Sequence, residues 1–151
     1  MWKYESNDNQ SIALHDHIID KISIDENESI ILVFNDGFDI VNTHPLNDTK
    51  KSKHTTKSQI VLKNAHFLSG ISSMQEETRS IDFLTLLKDL VDFEVLEFRW
   101  ESNVFRLLGE LTMPGFNNEF VELLFSCSDA IFCWDDYSSD AWFEGWPPSK
   151  K

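Results

Sequence analysis

The 151-residue chain carries 13 Lys and Arg against 26 Asp and Glu, a formal net charge of −13, with 41% hydrophobic and 13% aromatic residues. A field of this sign repels phosphate, so nucleic acid and anionic membrane are poor partners and a basic protein is the better one. The length predicts a single domain over 1–151, and twelve Phe and five Trp supply material for a core.

The charge is uneven along the chain. Residues 1–42 hold two Lys and nine acids, residues 43–67 hold five Lys and one acid, and residues 68–151 hold six Lys or Arg and sixteen acids. No stretch approaches the roughly 18 consecutive apolar residues of a membrane helix. No basic start leads into an apolar run at the N-terminus, so the expected location is the cytoplasm.

Residues 1–10 form a polar arm with two aromatic anchors, Trp2 and Tyr4. Ile18 to Ile24 is β-branched and partly alternating. Ile30 to Phe34 is a continuous apolar run of strand length, which predicts a central strand covered on both faces. Asp36-Gly37 follows, then Phe38-Asp39-Ile40-Val41. Asp-Gly between apolar runs predicts a two-residue hairpin, with Asn35 opposite Phe38 and Val33 opposite Ile40. Residues 43–57 are rich in Lys and Thr, contain Pro45, and predict a mobile basic loop. Ser58 to Ala65 resumes a strand pattern.

The spacing of Phe83, Leu86, Leu87 and Leu90 predicts one main helix near residues 81–90, with Ser80 as its cap and Ile81 and Leu84 widening its apolar stripe. Strand-like runs follow at Phe93–Trp100, Val104–Leu111, Phe120–Phe125 and Ala130–Trp134, with a turn at Met113 to Asn118. The fold class is therefore α+β, a predominantly antiparallel β-sheet forming a curved sheet or sandwich with the helix packed against it.

Motifs for chemistry are sparse. His15-Asp16-His17 would place two imidazoles on one face of a strand, with His66 or a carboxylate as a third zinc ligand, but the flanking Leu14, Ile18 and Ile19 fit an ordinary strand edge. The expectation is no metal there and no cofactor. Asp135, Asp136 and Asp140 lack the spacing of a calcium loop. Glu94, Glu97, Glu101 and Glu110 with Arg99 and Arg106 suggest cross-strand ion pairs. Cys127 and Cys133 alternate with apolar residues, which predicts buried, reduced and inert thiols. No catalytic residue emerges.

The least ordinary segment is acidic and aromatic: Trp134, Asp135, Asp136, Tyr137, Asp140, Trp142, Phe143, Glu144 and Trp146. Trp and Tyr are enriched at interface hot spots, and the acids suit a basic partner. The plainer reading is that these rings lid the core.

Ile12-Ala13-Leu14-His15-Asp16-His17-Ile18-Ile19, then Ile30 to Phe34 and Asp36-Gly37-Phe38, resemble small uncharacterised proteins of low-GC Gram-positive bacteria. So do Asp129-Ala130-Ile131-Phe132-Cys133-Trp134-Asp135-Asp136-Tyr137 and Ala141-Trp142. Some such acidic proteins are similar to immunity proteins that neutralise toxins encoded beside them. The resemblance implies a non-catalytic protein-binding module and transfers no site residue. The alternatives are a small metal-dependent or carboxylate-based enzyme and a structural homo-oligomer subunit.

Overall fold

The computed structural model describes residues 2–72 and 78–145. Its strands in chain order are β1 (Tyr4–Ser6), β2 (Ile12–Ala13), β3 (Ile18–Ile19), β4 (Lys21–Ile24), β5 (Ile30–Phe34), β6 (Asp39–Ile40), β7 (Lys53–Thr55), β8 (Ser58–Lys63), β9 (His66–Ser72) and β10 (Arg79–Ser80). Helix α1 (Phe83–Asp89) follows, then β11 (Asp92–Glu101), β12 (Val104–Met113), β13 (Phe116–Ser126), β14 (Asp129–Trp134) and β15 (Tyr137–Asp140).

These strands make three antiparallel sheets, ordered β1-β14-β8-β5-β4, β10-β9-β13-β12-β11-β3 and β15-β7-β6-β2. The protein is thus α+β, mostly antiparallel sheet with one short helix. The two larger sheets share one core. Ile22, Leu32, Ile60 and Phe132 of the five-stranded sheet are fully or almost fully buried, as are Phe93, Phe105, Leu107 and Leu123 of the six-stranded sheet. Phe98 meets Phe132 with ring centroids 6.0 Å apart, which ties β11 to β14.

The β5 run is central, between β4 and β8. Ile30, Leu32 and Phe34 are buried, whereas Ile31 and Val33 are half-buried, so one face is covered fully and the other in part.

The expected Asp36-Gly37 hairpin does not form. Val33 pairs with Lys21 and Gln59, while Ile40 pairs with Ile12 and Lys53. Both edges of β5 are already hydrogen-bonded, so the chain can only leave its sheet there. The turn itself is present: the Gly37 amide donates to the Phe34 carbonyl at 3.1 Å, and Gly37 sits at φ +75°. It redirects the chain from the five-stranded to the four-stranded sheet. A two-residue hairpin lies instead at Ser102-Asn103, where φ is +53° and +62° and Glu101 opposes Val104. Pro114-Gly115, with Gly115 at φ +87°, joins β12 to β13, a tighter turn than the expected Met113 to Asn118, since Met113 ends β12 and Phe116 to Asn118 open β13.

The helix is shorter than its periodicity suggests. Ser80 is spent in β10, opposite Ile71, and the cap is Asp82, whose carboxylate accepts from the Thr85 amide at 3.1 Å. Leu86 is buried and Phe83 stacks on Phe67 at 4.7 Å, but Leu84 is 73% exposed and lies off the packed stripe.

The segment expected as a mobile basic loop contains a strand that its composition does not announce. Its turns are built around buried Asn47, whose amide donates to the Ile40 carbonyl at 3.1 Å and the Lys51 carbonyl at 2.8 Å. β7 then runs between β6 and β15.

Candidate functional site

The acidic and aromatic terminal segment divides by role. Trp134 closes β14 with no exposed surface. It stacks on Tyr4 at 5.3 Å, meets the His44 ring edge-on at 5.4 Å, and donates from Nε1 to the Tyr137 hydroxyl at 3.4 Å. It belongs to the core and offers a partner no contact area. Tyr137 stacks on the other side of this group, 6.2 Å from Tyr4, and burial pushes its phenol up.

The acids turn inward to the chain's own basic and N-terminal segments. Asp135 accepts from the Lys3 amide at 2.6 Å. Asp140 bonds Lys53 Nζ at 2.6 Å and lies 3.9 Å from Lys51 Nζ; the Lys53 hydrogen bond holds its carboxyl below the ordinary value. Glu144 accepts from the Ser52 amide. The Asp136 carbonyl accepts from the Thr56 amide at 2.9 Å, which leaves its exposed side chain outward. Trp142 is 52% exposed and packs edge-on to Phe143 at 5.4 Å. Trp146 lies outside the described residues.

His15 and His17 do not share a site. His15 Nδ1 bonds the Leu96 carbonyl at 2.8 Å, and His66 lies on β9 opposite Ser126. His17 instead joins two residues that sequence spacing could not connect. Its backbone is fixed by a turn to the Leu14 carbonyl and by the Val95 amide, both at 2.9 Å. From there Nε2 lies 2.8 Å from Asp39 Oδ2. Asp39 lies on β6 directly opposite His54 on β7, and His54 Nδ1 is 2.8 Å from Asp39 Oδ1. His54 Nε2 bonds the Asp36 carbonyl. The carboxylate side chain is 1% exposed and the two imidazoles 13% and 22%, with ring centroids 4.9 Å apart. The one sequence signal was an acid inside the buried run Phe38-Asp39-Ile40, because an ionised side chain is seldom buried without partners.

The outer face of the six-stranded sheet is a polar surface built from regular structure. Register and alternation place Glu94, Glu97, Arg99 and Glu101 of β11 beside Val104, Arg106, Leu108 and Glu110 of β12, with Glu122 and Leu124 of β13 and Ile71 of β9 beyond. Arg106 Nε bonds Glu122 at 2.6 Å. Arg99 lies 3.8 Å from Glu97 and 3.7 Å from Glu101. Glu94 and Glu110 face each other across the strands with no ion pair among the described residues, and Glu101 pairs only within its own strand, so of the four acids Glu97 alone makes the expected cross-strand pair, 3.9 Å from Arg106.

Cys127 and Cys133 are buried free thiols. Burial, reinforced by nearby carboxylates, pushes them up to about 11 and about 12, which removes the thiolate a nucleophile requires.

Compared with family models, with curated proteins and with solved structures, the chain finds no match.

Proposed function

We propose that the protein is a non-catalytic binding module for a basic protein, with a bacterial immunity protein as its sharpest form. The observation that carries this reading is the outer face of the six-stranded sheet. Carboxylates there outnumber the two arginines, Glu94 and Glu110 stand opposed, and half-exposed Leu108, Leu124 and Ile71 share the same face. Two like charges directly opposite cost stability in the free protein. A cation arriving between them would relieve that cost, and the leucines would supply short-range contact. On this reading the two larger sheets are the layers of a sandwich, which keeps the face rigid. The buried thiols suit a reducing cytoplasm, and the −13 charge argues against nucleic acid.

The test uses the protein encoded by the neighbouring gene, since immunity proteins act on toxins encoded beside them. Binding is expected, with association slowing as salt rises, because attraction is screened over about 8–10 Å at 0.1–0.15 M. A Glu94→Lys, Glu97→Lys, Glu110→Lys variant should lose it while keeping its melt. A neighbour that does not bind removes the immunity form. Unchanged binding by the charge-reversed variant removes this face.

A further inference from the structure

We propose that His17 Nε2, the Asp39 carboxylate and His54 Nδ1 form a site for one divalent first-row transition-metal ion, with zinc as the ion to test. The argument starts at His54. A backbone carbonyl only accepts, so the nitrogen bonded to Asp36, Nε2, carries the hydrogen. In a neutral ring Nδ1 then presents a lone pair, and it aims at Asp39 Oδ1, itself an acceptor, 2.8 Å away. Two acceptors at that distance need a positive charge on or between them, and a metal ion or a second ring proton would supply it.

Three features favour the metal. First, the donors converge: one nitrogen from each of His17 and His54 and an Asp39 oxygen all lie within 4.8 Å of one another. Zinc bonds of about 2.0–2.2 Å put tetrahedral neighbours roughly 3.3–3.5 Å apart, so the two pairs at 2.8 Å would part by about half an ångström and a pair at the 4.8 Å limit would close by about 1.4 Å to seat the ion. Second, the His54 Nε2–H bond to a carbonyl is the outer contact that metal-ligating histidines ordinarily make, fixing the tautomer that frees the other nitrogen. Third, access is graded. Asp39 is sealed at the bottom while both imidazoles keep some exposure, leaving a fourth position toward solvent. Two imidazoles and a carboxylate suit zinc, iron or cobalt rather than calcium or magnesium.

The ion would act as a clip. His17 precedes β3 at the edge of the six-stranded sheet, whereas Asp39 and His54 sit on neighbouring strands of the four-stranded sheet. One ion would join the two sheets. This inference does not depend on the protein-binding reading.

Protein prepared without an affinity tag, stripped and dialysed, is titrated with zinc against a chromophoric chelator. One ion per chain and a higher melting temperature in excess zinc are expected, and cobalt should give the visible bands of a nitrogen- and oxygen-ligated ion. His17→Ala and His54→Gln should each weaken zinc at least about tenfold, and His15→Ala should leave it unchanged. If His54→Gln does not fold, His17→Ala and the cobalt spectrum of the natural chain decide. No uptake by the natural chain overturns the site. Uptake that survives His17→Ala, or falls equally in His15→Ala, overturns it as well.

Discussion

Trp134→Ala and Trp142→Ala separate the two roles that one stretch of sequence merges. Trp134 has no exposed surface, with Tyr4 stacked on its face, His44 against its edge and Tyr137 accepting from Nε1. Truncation removes the transfer energy of a whole indole and leaves a cavity under three aromatic neighbours, a cost of about 3–5 kcal/mol. For a domain of this size each kcal/mol moves the melting temperature by roughly 2–4 °C, so a fall of about 6–20 °C is expected. Trp142 is 52% exposed and meets Phe143 edge-on, so its truncation removes less buried contact and should lower the melt clearly less than Trp134→Ala. Trp134→Phe refines the comparison. It keeps most of the buried area and loses the bond to Tyr137, so it should melt between Trp134→Ala and the natural chain. Thermal melts followed by circular dichroism read all three. Equal losses for the two alanine variants, or a Trp134→Ala fall under about 2 °C, would refute the assignment of Trp134 to the core.

Two further outcomes follow from single positions. Gly37→Ala should destabilise by more than about 2 kcal/mol in a urea unfolding curve, because φ is +75° and the added methyl would meet the Thr55 and Thr56 carbonyls; a neutral result would mean that β7 does not press on this turn. Burial holds the His44 imidazole below its ordinary 6.5, against Asp8, so below that pH the unfolded chain takes up a proton that the folded chain refuses. The associated stability is complete above pH 6.5 and is lost as pH falls toward the folded value; His44→Asn should therefore melt with a shallower pH dependence just below 6.5, and parallel curves would contradict this.

Local pattern revealed the elements better than it revealed their partners. The strands around Ile30–Phe34, Phe93–Trp100, Val104–Leu111, Phe120–Phe125 and Ala130–Trp134 all exist, because an apolar or alternating run of strand length is written into each segment. Pairing is not local. Asp36-Gly37 carries a strong hairpin signal, yet Lys21–Ile24 and Ser58–Phe34 contacts claim both edges of β5 from a distance. β7 was invisible because Lys53-His54-Thr55 has no apolar alternation; β6 and β15 on either side make it a strand. For the same reason the His17, Asp39 and His54 cluster could not be read. Its members are separated by 22 and 15 positions and meet only through strand register.

The charge pattern gains a different meaning once the pairing is known. The basic stretch 43–67 and the acidic close of the chain are neighbours, β7 against β15, with Lys53 on Asp140 and the Ser52 amide on Glu144. Lys51 and Lys53, which looked like part of a free basic loop, pair with Asp140, a terminal acid that looked like a partner's target. Surface ion pairs of this kind contribute at most about 1 kcal/mol each, so their effect is more on the outward field than on stability. Beyond that corner, the outer face of the six-stranded sheet holds Glu94, Glu97, Glu101, Glu110 and Glu122 against Arg99 and Arg106, a net −3 on a regular face whose positions are set by strand register. A basic partner would accordingly be steered toward β11 and β12 rather than toward the C-terminal acids. The exposed Trp142 then contributes through short-range contact if that corner touches the partner at all, and its truncation should change dissociation while leaving the salt dependence of association as it was. A Trp142→Ala variant whose association rate lost its salt dependence would place the steering charge at the C-terminal corner and refute this division.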